Sequence, residues 1–92
     1  MVSTITIKNP EKFKHYLMET QKVARPYGAE LVHRGKANKV LTDHTNDHNM
    51  IVIVKFPNLD VISQWINSDD YKALIPLREE AADMKMVSYD VL

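Results

Sequence analysis

Arg78 has the setting that solubility alone explains least. On a helix its neighbours three and four residues away are Leu74, Ile75, Ala81 and Ala82, an apolar stripe where surface arginines rarely sit. A guanidinium drawn into such a stripe must find a carboxylate, carbonyls or a bound anion, because an unpaired buried charge is costly. Either its stem packs on the core while its head reaches water or an internal acid, or its head anchors an anionic ligand. Arg34 is the second candidate anchor, in the sequence His33-Arg34-Gly35. Its bidentate geometry suits carboxylates and phosphates, although an edge-strand charge that discourages aggregation has the same appearance. Successive strand residues face opposite sides, so His33 and Arg34 reach one cavity only through a bulge. His33 is the one histidine placed for general acid–base work, and no nucleophile stands beside it.

Trp65 and Tyr71 flank a junction between two helical pieces. Each can be core, and each can wall a pocket while offering one polar atom. Tyr16 and Tyr27 fall on the buried stripe of the first helix, where a hydroxyl needs a partner. His44 and His48 flank Asp43 and Asp47 in a polar loop. That spacing suggests a metal, but a loop without second-shell support offers no fixed geometry, so no metal is expected there. His15 lies opposite the buried stripe and reads as solvated. A glycine-rich phosphate loop, a dinucleotide fingerprint, HExxH and GxSxG are all absent. The two glycines, Gly28 and Gly35, are too few to cradle a phosphate. No cofactor is expected.

The chain that must position these groups has 92 residues, enough for a single domain over 1–92. With 45% hydrophobic and 26% charged residues it is a folded domain and not a disordered one. It has no cysteine, which excludes disulfides, thiolate metal sites and a cysteine nucleophile and fits a reducing compartment. No apolar run approaches a membrane span, and the N-terminus lacks the features of a secretory signal. A cytoplasmic protein is expected. The formal net charge is zero, yet residues 1–41 carry eight basic side chains against three acidic ones, and residues 42–92 four against nine. The basic residues are scattered rather than concentrated, so a nucleic-acid partner is not expected.

Val2–Ile7 reads as a strand. Asn9-Pro10 opens a helix with a buried stripe of Phe13, Tyr16, Leu17, Thr20, Ala24 and Tyr27, which ends around Pro26 and Gly28. Glu30–Leu41 reads as extended, with Gly35 as its bulge or bend. Thr42–Asn49 is a polar loop. Met50–Phe56 is a strand with apolar side chains on both faces. Asn58 caps a second helical region carrying Val61, Ile62, Trp65 and Ile66, and Ser68 caps its continuation. The continuation runs helically through Ala82, with a kink or division at Pro76. Lys85–Leu92 closes the chain as a strand with Val87, Tyr89 and Val91 on one face.

The order β-α-β-β-α-β predicts an α+β, ferredoxin-like fold: a four-stranded antiparallel sheet with both helices on one face. Helices cover only one face, whereas Met50–Phe56 is apolar on both. A second copy of the chain is the simplest cover, so a homodimer packed through its sheets is expected.

The fragments KNPEKFKHYL, AELVHRGK, IVIVKFPNLDVISQWINSDDYKALIPLREEAAD and the closing strand resemble the bacterial family known as domain of unknown function 1330 (DUF1330). The resemblance covers nearly the whole chain. Its most specific part runs from Phe56-Pro57 through Trp65, Ser68, Tyr71 and Arg78. It implies membership of the dimeric α/β-barrel superfamily, a dimer of face-to-face sheets, and no established activity. That superfamily includes cofactor-free monooxygenases, haem-degrading enzymes, muconolactone isomerases and stress-responsive proteins, and fold analogy does not choose among them. The chain departs from the family in having Lys36 after Gly35 and His48-Asn49 before Met50, where glycine pairs and an arginine are more usual.

Two functions from different classes fit. One is a protein that binds a small anionic or aromatic organic ligand between sheet and helices, with Arg78, Arg34, Trp65 and Tyr71 around it. In a cofactor-free enzyme of this kind His33 would be the base. The other is a non-enzymatic dimeric structural or partner-binding module, in which Arg78 is a satisfied structural ion.

Overall fold

Alternation along Val2–Ile7 sends Ser3 and Ile5 inward, and this segment becomes β1, a central strand. The computed structural model describes all 92 residues. The Asn9 side chain accepts the Lys12 N–H at 3.1 Å and Pro10 takes the first turn, so α1 starts cleanly and runs over Pro10–Ala24. A short 3₁₀ turn, Arg25–Tyr27, ends on Gly28 at φ 77°. Only glycine adopts that left-handed conformation without strain, and a Cβ there would also press on Pro57 Cγ at 3.0 Å.

β2 spans Glu30–Lys36 and β3 spans Met50–Lys55. Their register pairs Leu31 with Val54 and Arg34 with Val52, so Val32 and His33 together oppose Ile53. The extra residue is a bulge. Sequence reasoning expects that bulge at Gly35 and an extended segment reaching Leu41; neither forms. Lys36 pairs with Met50, the first residue of β3, and after one more backbone bond, from Ala37 N–H to the Asn49 carbonyl at 2.7 Å, the ladder ends. The chain then crosses the polar 37–49 segment without regular structure.

After β3, Asn58 caps α2, Leu59–Ile66, by accepting the Val61 N–H at 2.9 Å. Ser68 caps the single-turn α3, Asp69–Lys72, in the same way through Tyr71 N–H. Pro76 sits in the first turn of α4, Ile75–Ala81, and so divides the helical region as expected. β4 is Ala82–Val87, not the expected Lys85–Leu92. The reason is register: β4 pairs residue for residue with all of β1, from Ile7↔Ala82 to Val2↔Val87, and beyond Val87 the edge of β1 is used up. Tyr89 and Val91 are left exposed.

The sheet order is β2-β3-β1-β4 with every neighbour antiparallel, the ferredoxin-like arrangement. The core lies between the sheet and the helices, around Ile5, Phe13, Tyr16, Val52, Phe56, Trp65 and Tyr71. Phe56, Trp65 and Tyr71 form a run of tilted aromatic contacts, with ring centroids 5.1 and 4.5 Å apart. Each such pair adds roughly 0.5–1.5 kcal/mol beyond its buried area. The opposite face of the sheet presents Val2, Thr4, Ile51, Ile53 and Val87, all half-buried, with no element of the chain over them.

Candidate functional site

A cavity of about 250 Å³ opens between α1 and the sheet, near the β2 side. Its wall is apolar for the most part, from Ile5, Leu17, Val52, Val54, Met84 and Met86. Its polar groups are Ser3, Tyr16, Thr20 and Trp65 among the buried or half-buried lining, with Gln21, Arg25 and Arg34 on exposed positions. No aspartate, glutamate or histidine lines it. Two of its polar atoms, Trp65 Nε1 and Thr20 Oγ1, are buried without a hydrogen-bond partner. Such atoms are uncommon in a folded protein, because each carries a desolvation penalty of roughly 1–3 kcal/mol. Thr20 lies close enough to Tyr16 to favour the ionised form of the Tyr16 hydroxyl.

Arg34 reaches this cavity because of the bulge. With Val32 as the extra residue, Leu31 and Arg34 share the helix-facing side of β2 and both line the cavity. His33 points the other way. It pairs with Ile53 on the uncovered face, and its ring leans over Gly35, where a Cβ would stand 2.8 Å from Nε2. The expectation of His33 as a base in the pocket is therefore corrected: the strand pleat separates it from the cavity.

Trp65 lines the cavity, whereas Tyr71 and Arg78 stand behind its wall. The Arg78 guanidinium donates through Nη1 to the Tyr71 hydroxyl at 3.0 Å and through Nη2 to Glu79 Oε1 at 2.8 Å. It also lies 5.9 Å from the centroid of the Tyr71 ring. Partial burial pulls its pKa down, but the hydrogen bonds to Glu79 and Tyr71 outweigh that and leave it raised. The same bond lowers the pKa of Glu79. Arg34 and Arg78 thus do not converge on one pocket. Arg78 has both partners within the chain.

Tyr71 Oη also meets Tyr16 Oη at 2.9 Å. Burial above all, with Tyr71 next to it, pushes the Tyr16 hydroxyl well above the ordinary tyrosine range. Tyr16 therefore stays protonated throughout the neutral range.

The polar loop holds no three metal-ligating side chains together. His48 Nδ1 instead lies 2.9 Å from Thr6 Oγ1, tying the loop to the end of β1. His15 is exposed, 3.8 Å from Glu19. Sequence reasoning misses Ser3, Thr20, Met84 and Met86. The signal for Thr20 is available: it is a hydroxyl in the apolar stripe of α1, the same kind of anomaly as Arg78. Met84 is lost with the misplaced start of β4, while Met86 falls inside the expected strand on the face opposite Val87.

Fold and cavity together define a ferredoxin-like α+β fold with a largely apolar hollow between its layers. The chain belongs to the family described as Domain of unknown function (DUF1330), which matches residues 1–91. Among solved structures it is similar to the RPA0582 protein of unknown function from Rhodopseudomonas palustris, with a TM-score of 0.72 at 17% identity, covering 94% of this chain and 75% of that one. The methylated form of RPA0582 gives a TM-score of 0.74 at 18% identity, over 99% and 78% of the two chains. At these identities the likeness is one of fold. No curated protein matches the chain. No helix is long and apolar enough to cross a membrane.

Proposed function

We propose that this protein binds a small organic anion with an apolar or aromatic body in the cavity between α1 and the sheet. Arg34 meets the anionic end at the mouth, and Trp65 forms part of the wall. The observation that carries this reading is the character of the lining. It combines arginines and unpartnered donors with apolar side chains and holds no carboxylate or imidazole. Such a surface suits an acceptor-rich ligand and repels none. The same lining supplies no general base of its own, which favours binding over proton abstraction by the protein's side chains. Tyr71 and Arg78 support the wall from behind rather than touching the ligand. The lack of cysteine accords with action in the cytoplasm.

Trp65 is the only tryptophan, so its fluorescence reads the cavity directly. The test is a titration with 4-acetylbenzoate and with its uncharged relative 4-methylacetophenone. Arg34→Ala is expected to weaken the carboxylate about five- to tenfold, the range of one exposed charge-assisted contact, and to leave the neutral compound unchanged. Failure of both compounds to bind the wild type, or equal loss for both in the variant, would overturn the reading.

We also propose that the protein is a homodimer joined through the uncovered sheet face. Half-buried Val2, Ile51, Ile53 and Val87 on that face support it.

A further inference from the structure

The chain has three arginines, and their surroundings divide them. Arg78 is held by Tyr71 and Glu79. Arg25 and Arg34 are exposed, and neither side chain makes a hydrogen bond or an ion pair within the chain. Both of these free arginines line the cavity, Arg25 from the turn that ends α1 and Arg34 from β2. No other charged side chain lines it. Both belong to residues 1–41, which hold the chain's excess of basic groups. An arginine at a helix end also balances the helix dipole, and one on an edge strand discourages aggregation. Neither role requires the two to share a cavity, or that cavity to be free of acids.

We propose that Arg25 joins Arg34 in a two-armed anchor for a dianionic head group, and that the ligand is a phosphate monoester with an apolar or aromatic body. This rests on the ligand-binding reading above and adds the class of anion. A carboxylate presents two oxygens and one charge, and a single arginine fork matches both. With such a head Arg34 would suffice, and Arg25 would stand unused on the same cavity. A phosphate monoester has three free oxygens and, above its second pKa of about 6, a charge of about −2. It matches two guanidiniums in oxygens and in charge. Each guanidinium carries five N–H donors on a planar fork, so two of them satisfy all three oxygens. The exposed mouth is where such a group must remain, because moving a dianion into the apolar interior costs far more than any contact there returns. The wall around Ile5, Leu17, Val52 and Met84 then takes the hydrocarbon of the ester.

The experiment titrates Trp65 fluorescence with 4-isopropylphenyl phosphate and with 4-isopropylbenzoate, which share a body and differ in the head. At about pH 7.5, where the ester is a dianion, wild-type protein is expected to bind the phosphate about tenfold more tightly, the worth of one further charge-assisted contact. Arg25→Ala should erase that preference and leave the benzoate unaffected, whereas Arg34→Ala should weaken both. At about pH 5 the ester is a monoanion and the benzoate stays ionised, so the wild-type preference should shrink. The lining holds no carboxylate or imidazole to titrate over that range. Equal wild-type affinity for the two compounds at about pH 7.5 overturns the proposal and leaves the cavity reading standing, and it needs no variant to fold. A preference retained in Arg25→Ala, or an equal loss of both compounds there, also overturns it. Binding of neither compound overturns both.

Discussion

The hydroxyls of Tyr16 on α1 and Tyr71 on α3 meet at 2.9 Å, joining helices 55 residues apart in the chain. Both rings are buried, at 2% and 0% exposure, so water cannot replace this bond. Tyr71 is the middle of the arrangement, since it also accepts from Arg78. Tyr71→Phe keeps the ring contact with Trp65 but removes the hydroxyl that Tyr16 meets and leaves Arg78 with Glu79 alone. It should cost about 1–3 kcal/mol, whereas Tyr16→Phe, at the end of the chain of bonds, should cost about 0.5–1.5 kcal/mol. Urea unfolding of both variants and of the double variant measures the pair. Additive losses would mean that the two hydroxyls do not interact.

The same burial gives the protein an alkaline liability. The Tyr16 pKa is held above its ordinary value of 10.0 by burial first and by Tyr71 second. The folded state then keeps a proton that the unfolded chain releases above that value. The stabilisation is fully present below pH 10.0 and is lost as pH rises beyond it. The slope is about 1.4 kcal/mol per pH unit while the folded form stays protonated. Tyr16→Phe removes this share, so its stability should fall less steeply than that of wild type between about pH 9 and about pH 11. Parallel declines for the two proteins would contradict the burial argument.

Much of this was readable from the residues. Capping signals at Asn9, Asn58 and Ser68 are local chemistry, and each starts a helix where expected. Strand ends are not local. β2 stops at Lys36 and β4 starts at Ala82 because of where β3 and β1 begin and end, which no window of sequence contains. The site divides along the same line. Arg78 is anomalous in its own helix and does find partners, but which partners depends on a tyrosine one helix away. The one-residue bulge at Val32 decides that Arg34 and not His33 faces the cavity, and alternation alone cannot locate a bulge.

Thr20 offers a test in which stability and binding move in opposite directions. Thr20 lines the cavity, and its Oγ1 is buried one turn from Tyr16 without a well-formed hydrogen bond. Thr20→Val keeps the shape and the β-branch and removes the unsatisfied oxygen. Stability of the ligand-free protein should rise by up to about 1 kcal/mol. Affinity for 4-acetylbenzoate should fall, because a group retained against stability is retained for what it contacts. A destabilised Thr20→Val with unchanged binding would identify the hydroxyl as a structural group.

Ile53 stands at the centre of the uncovered sheet face, paired with Val2 on one side and His33 on the other. Ile51, Val2 and Val87 extend the apolar row, while Lys55, Lys85 and Asp83 fall on the same side around it. An apolar centre with a mixed-charge rim is the pattern of a self-complementary interface, because a two-fold axis sets the row against its own copy and leaves the rim near water. Ile53→Lys puts a charge into that row. In an isolated monomer the new side chain would reach solvent and cost little, but in a dimer it would be buried against its symmetry mate. Light scattering at micromolar concentration should give a dimer for wild type and a folded monomer for Ile53→Lys. Lys12→Ala, on the helix side, should leave the dimer intact. A wild-type protein that is monomeric under those conditions would rule the interface out and leave the doubly apolar β3 without its partner.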